Sequence, residues 1–188
     1  MNKMIKMFYV LLVICTMYTH VNASEYDVFI GAEAGLSWAD FDGPNGEYQN
    51  HEIDTYGAKA GVVSDRTRIY LSYQYMDAFK DSTTRDGEYQ TLTANTEAFT
   101  DPLHLFNFLD LVFFVGGHLG AVNINVEASF GESDEYALLY GVQAGILARF
   151  NQLVSLEAGY RFSYSDFSDQ NTDLDKIQVA YGGINLRF

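Results

Sequence analysis

The chain ends with Ile177-Gln-Val-Ala-Tyr-Gly-Gly-Ile-Asn-Leu-Arg-Phe188, a β-like stretch that runs to the last residue. Counting back from Phe188, every second residue is apolar or small: Leu186, Ile184, Gly182 and Ala180. Alternation with a period of two is typical of a strand that has one apolar face. A terminal strand with an apolar edge invites aggregation, and a closed barrel removes that edge by pairing the last strand with the first. The stretch therefore predicts a β-barrel.

The same stretch resembles the assembly signal of bacterial outer-membrane β-barrels, with Ile184 and Leu186 alternating ahead of Phe188. The resemblance implies that the barrel-assembly machinery reads this strand. Ile177, Val179 and Tyr181 are apolar in the opposite phase, so the phase slips near Gly182-Gly183. Because glycine inside a strand often marks a bulge, we expect a β-bulge at this glycine pair.

The first 23 residues have the pattern of a cleavable signal peptide. Lys3 and Lys6 precede a short apolar run, and Val21-Asn22-Ala23 is a small-x-small cleavage site. The run is shorter than the roughly 20 residues that cross a bilayer. We therefore expect residues 1–23 to be removed and residues 24–188 to form a single domain. Cys15 is the only cysteine, so the expected mature chain has no disulfide, no thiolate nucleophile and no cysteine metal site.

The charge of the chain is strongly acidic, with 25 Asp and Glu against 11 Lys and Arg and a net charge of −14. Loss of the two leader lysines would bring the net charge to −16. A nucleic-acid partner is excluded on this ground, because phosphate binding needs clustered Lys and Arg. Aromatic residues are abundant (14 Tyr, 14 Phe and one Trp), as in the aromatic girdles of membrane barrels.

Eight segments alternate in the manner of strands. They are Tyr26–Trp38, Asp54–Ser64, Arg68–Met76, Glu88–Thr100, Leu111–Ile124, Tyr136–Phe150, Leu153–Ser165 and the closing strand. Short turns tend to alternate with four longer acidic loops at 39–52, 77–87, 125–135 and 166–175. Residues 101–110 are interpreted as a turn plus strand ends, with a short helix as the alternative. The phase of the fifth strand stays open, with His118 expected to point inward.

This arrangement resembles the OmpA, OmpX and opacity-protein superfamily of small outer-membrane barrels, with a local match at Leu156-Glu-Ala-Gly-Tyr-Arg-Phe162. The resemblance implies an all-β, eight-stranded, antiparallel up-and-down transmembrane barrel in the cell outer membrane, folded as a monomer. It also implies contact with outer-membrane lipid and lipopolysaccharide, and a role in envelope integrity or in adhesion through the loops. A general diffusion pore is disfavoured, because open channels use about 16 strands or more.

Charged residues occupy the inward phase of several strands. They are Glu33, Lys59, Glu97, Arg149, Glu157 and Arg161, with Arg187 as a further candidate. An unpaired charge inside a narrow barrel is costly, so we expect an ion-pair network that plugs the lumen. The alternative is a narrow ion or solute pore, in which the same pairs rearrange.

Neither an enzyme nor a metal or cofactor site is predicted. His51, His104 and His118 have no spacing that suits a zinc site or an ordered Ser-His-acid motif. The acidic loops have no calcium-loop spacing, so solvated loops without a known ligand are the expectation. The remaining alternative is a soluble, periplasmic, lipocalin-like ligand-binding barrel, which would bury its apolar face inward.

Overall fold

The computed structural model describes residues 26–43, 46–48, 52–76, 86–106, 108–128, 131–169 and 172–188. The predicted signal peptide lies outside these residues. Ten strands are present: β1 Asp27–Gly43, β2 Gly46–Tyr48, β3 Glu52–Val63, β4 Thr67–Met76, β5 Asp86–Phe99, β6 Leu103–Phe106, β7 Leu109–Ala128, β8 Gly131–Arg149, β9 Val154–Asp169 and β10 Thr172–Arg187.

Eight of these strands form a closed antiparallel barrel, in which every strand pairs with its neighbours in the chain. Closure is made by β1 and β10, whose register runs from Phe29 opposite Arg187 to Ala39 opposite Ile177 without interruption. The two short strands lie outside the ring, with β2 paired to β1 and β6 paired to β7. The barrel predicted from the closing stretch is thus confirmed.

Side chains alternate between a packed interior and an apolar exterior. On β1, Phe29 and Glu33 are buried, whereas Val28 and Ile30 are exposed. The fifth barrel strand, β7, has Phe114 and His118 inside with Phe113 and Val115 outside, which fixes the phase that the sequence left open. An apolar exterior is the reverse of a soluble lipocalin and is what a lipid-facing barrel needs. No helix among the described residues is long and apolar enough to cross a membrane.

The predicted bulge at Gly182-Gly183 is wrong. The register of β10 against β9 is continuous from Lys176 to Leu186, and it shifts instead between Leu174 and Lys176. Ile177, Val179 and Tyr181 point into the barrel, where they belong to its apolar cluster. The apolar residues change phase because the inward face of this strand is apolar from Ile177 to Tyr181 and polar at Asn185.

The two ends of the barrel differ. One end, here named the turn end, carries the first described residue, Tyr26, the C-terminal Phe188, the short turn after β3 and the turn at residues 150–153. At the other, the loop end, strands continue into segments predicted as loops: β1 reaches Gly43, and β7 pairs with β8 out to Ala128 opposite Gly131. Backbone pairing can continue where apolar alternation has stopped, because the ladder bonds do not depend on the side chain. Most side chains of the predicted acidic loops lie outside the described residues.

The stretch 101–110, predicted as a turn plus strand ends, contains the short strand β6, and the alternative of a helix is not seen among its described residues. β6 pairs with the start of β7, with Leu103 opposite Leu111 and His104 opposite Asp110. It therefore extends the wall of the barrel at the turn end.

Candidate functional site

The middle of the barrel interior holds six buried charged side chains from five strands. They are Glu33 on β1, Lys59 on β3, Arg68 on β4, Glu97 on β5, and Glu157 and Arg161 on β9. Each lies in the inward phase of its strand, and none is more than 5% exposed. Charges this deep are tolerated only when they are paired and hydrogen-bonded.

Lys59 lies between two carboxylates. Its Nζ is 3.1 Å from Oε2 of Glu33 on β1, and it also contacts Oε1 of Glu157 on β9. Glu33 is shared in turn, because Arg161 Nη1 donates to its Oε1 at 3.2 Å. Opposite charges thus alternate from β9 through β1 and β3 and back to β9.

Arg68 continues the alternation on the other side of Glu157. Its Nη1 donates to Glu157 Oε2 at 2.8 Å, and its Nε donates to Glu97 Oε2 at 2.8 Å. The resulting order is Arg161, Glu33, Lys59, Glu157, Arg68 and Glu97, with three charges of each sign.

Gln143 on β8 joins the two ends of this chain. Its Oε1 accepts from Arg161 Nε at 2.9 Å, and its Nε2 donates to Glu97 Oε1 at 2.9 Å. The six charges and this one amide therefore form a closed loop of side chains across the lumen, which we name the charge ring. The charge ring is neutral and every member has at least two partners, which offsets the cost of its desolvation, although Arg161 Nη2 is buried without a hydrogen-bond partner among the described residues.

Neutral side chains hydrogen-bond to the carboxylates of the charge ring. Gln74 donates to Glu33 at 2.5 Å, Tyr70 donates to Glu97 at 2.7 Å, and Asn185 donates to Glu157 at 3.0 Å. Asn185 brings β10 into the arrangement, so seven of the eight barrel strands contribute a side chain.

The remaining barrel strand, β7, leaves room for the side chain of Glu97. Gly116 lies beside Glu97, and a Cβ atom at Gly116 would lie 2.7 Å from Glu97 Cγ and 2.2 Å from the backbone oxygen of Thr96. Glycine is therefore required there by the close approach of β5 and by the buried carboxylate.

Arg149 lies apart from the charge ring. It forms no ion pair with a described residue, and its guanidinium carbon is 5.2 Å from the ring centroid of Phe99. Together with Phe29, Arg68 and Arg187 it lines a cavity of about 30 Å³ at the turn end. Arg187 pairs outside the charge ring, with Asp27 Oδ2 at 2.5 Å. Five of the six predicted lumen residues are thus brought together, and Arg68 occupies the place assigned to Arg149.

Arg68 was missed although its phase was readable. It opens the predicted strand Arg68–Met76, in which Ile69 and Leu71 form the apolar phase and Arg68 and Tyr70 the other phase, but it immediately follows a charged turn. The signal that would have identified it is strict alternation carried back to the first residue of the strand.

Apolar side chains share the interior with the charge ring. One cluster of eleven buried residues includes Ile53, Val122, Leu139 and Ile177, and a smaller one is formed by Phe29, Val63 and Tyr70. His118 lies buried and its Nε2 is 2.9 Å from Ser163 Oγ. No group of three His, Cys, Asp or Glu side chains in the described part of the chain could hold a metal ion. The interior is therefore built for packing and ion pairing.

The apolar exterior is graded along the barrel axis. On β3, β4, β8 and β9 the exposed outward tyrosines lie closer to the loop end than the exposed aliphatic residues of the same strand; these tyrosines are Tyr56, Tyr73, Tyr136, Tyr140, Tyr160 and Tyr164. Tyrosine is suited to a membrane interface because one end of its side chain is apolar and the other can hydrogen-bond.

The predicted assembly-signal residues lie at the seam between the first and last strands. Ile184 and Leu186 face outward, and the Phe188 ring is 69% exposed. The Phe188 backbone N–H donates to the Val28 oxygen at 2.8 Å, which ties the last residue to β1.

Solved structures with the same fold are small outer-membrane barrels. Neisserial surface protein A is 17% identical with a TM-score of 0.67, covering 86% of this chain and 97% of that one. Outer membrane protein H (OprH) from P. aeruginosa is 25% identical with a TM-score of 0.54, covering 86% of this chain and 99% of that one. The N-terminal β-barrel domain of Pseudomonas aeruginosa OprF is 17% identical with a TM-score of 0.50, covering 84% and 97%. No family model and no curated protein matches the chain.

Proposed function

We propose that this eight-stranded outer-membrane β-barrel has a sealed lumen and acts in the envelope through its surfaces, as a structural and surface-contact protein. The observation that carries the proposal is the charge ring, because it crosses the lumen, has members on six of the eight barrel strands, and accepts a hydrogen bond from Asn185 on a seventh. A transported ion would have to break several buried ion pairs at once, each of which is costly to leave unpaired. An eight-stranded barrel is only wide enough for its own side chains to fill it.

The outer surface supports the choice of partner. The exposed tyrosines toward the loop end include a stacked pair, Tyr140 and Tyr164, with ring centroids 6.1 Å apart. These rings are placed to contact the lipid of the outer leaflet, and their hydroxyl groups suit the sugars and phosphates of lipopolysaccharide. Contact with other cells or molecules would then involve the segments at the loop end.

The residues predicted as the assembly signal also lie on the outer surface of the barrel. The outward pair Ile184 and Leu186, with the exposed Phe188 ring, is presented at the seam of the barrel. We infer that the barrel-assembly machinery reads these three residues before β10 pairs with β1. A cleaved leader at residues 1–23 would deliver the chain to that machinery.

The test of a sealed lumen is conductance in a planar bilayer, with insertion verified by the heat-dependent gel shift of a folded barrel. We expect no discrete openings from the wild-type chain. Replacement of the Lys59–Glu157 pair, as the double variant Lys59→Ala with Glu157→Ala, removes one charge of each sign from the charge ring and should produce small, discrete openings. Wild-type openings of reproducible size would overturn the proposal in favour of a narrow pore.

Arg149 supplies the matched control for this test. It is a partly buried arginine that lines the cavity at the turn end and lies outside the charge ring. Arg149→Ala should therefore be as silent as the wild type. If Arg149→Ala conducts and the Lys59–Glu157 variant does not, the seal lies at the turn end and not in the charge ring.

A role in the envelope is tested in cells. Cells that lack the chain should become more sensitive to detergents and to large antibiotics that the outer membrane normally excludes, and the full chain should restore the barrier. Unchanged sensitivity, together with loss of attachment to surfaces, would move the function from envelope integrity to adhesion.

A further inference from the structure

One side of the turn end continues beyond the barrel wall. After β5 ends at Phe99, the N–H of Thr100 still donates to the Phe113 oxygen at 2.9 Å, and β6 then pairs with the first residues of β7. Residues 103–106 and 108–111 thus form an extension, which we name the turn-end hairpin. The turn between β3 and β4, by contrast, is short and polar, with exposed Asp65 and Arg66.

The turn-end hairpin has one apolar and one polar face. Residues opposite each other on antiparallel strands share a face, and Leu103 pairs with Leu111 while Phe106 pairs with Leu109. A register shift between His104 and Phe106 puts Phe106 on the same face as Leu103. These four residues have the phase of outward Phe113 on β7. His104 and Asp110 form the other pair, with Nδ1 and Oδ1 2.5 Å apart, in the phase that points inward.

No described part of the chain covers the apolar face. Leu103 is 51% exposed and Phe106 is 62% exposed; Phe108, in the turn just before β7, is 64% exposed. The rings of Phe106 and Phe108 are stacked, with centroids 5.6 Å apart and planes 11° apart. Large apolar side chains grouped in this way mark a contact surface, because exposing them together to water is unfavourable in free energy.

We propose that the turn-end hairpin is a lipid-contact element, whose apolar face lies in the interfacial layer of the leaflet at the turn end, against phospholipid glycerol and upper acyl chains. The argument for lipid is continuity. The apolar face follows directly from Phe113 and Val115 on the lipid-facing wall, and the His104–Asp110 pair lies on the opposite face, in the phase of the barrel interior.

The length of the hairpin fits that layer. From Leu111 to Leu109 the strand advances about 7 Å at roughly 3.3 Å per residue, or about 5 Å along the membrane normal for a tilted strand. The polar region of a bilayer is roughly 5–8 Å thick on each side. An exposed ion pair beside the hairpin, Arg66 Nη2 to Asp101 Oδ1 at 3.2 Å, places charge near the same level, which also indicates the headgroup layer.

The test uses tryptophan fluorescence, because the chain has a single tryptophan, Trp38. In a Trp38→Phe background, Phe106→Trp reports on the hairpin, Val115→Trp on the lipid-facing wall and Gln152→Trp on the β8–β9 turn of the same end, where Gln152 is exposed. Each full-length variant is refolded into vesicles of phosphatidylcholine that carries bromine near the top of its acyl chains. Both leaflets carry bromine, so the direction of insertion does not affect the reading.

We expect bromine to quench Phe106→Trp nearly as strongly as Val115→Trp, with emission shifted to shorter wavelength than that of Gln152→Trp. Phe108→Trp should behave like Phe106→Trp, and it replaces that variant if Phe106→Trp fails the heat-dependent gel test for folding. Quenching and emission that match Gln152→Trp would overturn the proposal and place the hairpin in water, where it would be free to contact a protein. The result does not depend on whether the lumen conducts, so the two proposals fail separately.

Discussion

Arg161 and Glu97 do not contact each other, yet a single amide connects them, since Gln143 accepts from one at 2.9 Å and donates to the other at 2.9 Å. They are the two ends of a chain of alternating charges that would otherwise be open. Gln143 closes the charge ring without adding charge, which is why a neutral side chain able both to donate and to accept is needed at this position.

Gln143→Leu should destabilise the barrel by about 1–3 kcal/mol, because it leaves Arg161 Nε and a buried lone pair of Glu97 without this partner. Urea unfolding in phospholipid vesicles measures the change. Gln152→Leu, at an exposed turn position, is the matched control and should stay within about 0.5 kcal/mol of wild type. Equal effects of the two substitutions would show that closure of the charge ring contributes nothing.

Lys59→Met should cost about 3–5 kcal/mol, because it leaves Glu33 and Glu157 each short of one buried partner. The control is Arg66→Met, which breaks an exposed pair whose side chains are 80% and 85% accessible. That change should cost at most about 1 kcal/mol. The prediction fails if both substitutions lower the free energy of unfolding by similar amounts.

Gly116→Ala should prevent folding or cost at least about 2 kcal/mol, since the new Cβ would lie 2.2 Å from a backbone oxygen that cannot move away freely. Gly117→Ala is its neighbour on the outer face, where a Cβ would meet only the Gly141 oxygen at 3.5 Å. We expect Gly117→Ala to refold normally. The fraction of barrel that resists heat-induced unfolding on a gel compares the two variants, and equal fractions would refute the steric argument.

Phe188→Ser should lower the amount of barrel assembled in cells while leaving refolding in vitro nearly unchanged. The ring is largely exposed, and the structural contact of this residue is a backbone hydrogen bond that any side chain except proline preserves. Phe150→Ser, at an exposed aromatic of the same end, is the control for loss of an aromatic side chain. If Phe188→Ser also unfolds more readily in vesicles, its role is structural and it does not serve as a signal.

The fold could be predicted from the sequence because alternation and the order of turns are local properties. The inward phases of Glu33, Lys59 and Glu157 could be read directly, since each lies between outward apolar residues. The partners of these residues could not be read, because they depend on the stagger of the closed sheet. Arg149 has the right phase but lies at the end of β8, one level away from the carboxylates.

Two other differences have the same origin. The apolar residues of β10 at Ile177, Val179 and Tyr181 imitate a bulge, because a barrel interior can be polar at one level and apolar at another. The bounds of β6 could not be predicted, because a strand of four residues beside Pro102 has too short a pattern to distinguish from a turn.

The charge ring also constrains how this protein can change over generations. Each member has partners on strands far apart in the chain, so replacing one charge leaves another stranded, and a second replacement at a distant position is needed to recover. The ring should therefore drift as a linked set, slowly, whereas the alanine, leucine and valine positions of the outer wall can be exchanged one at a time. Descendants of such a gene would keep the barrel fold while their outward-facing residues diverged.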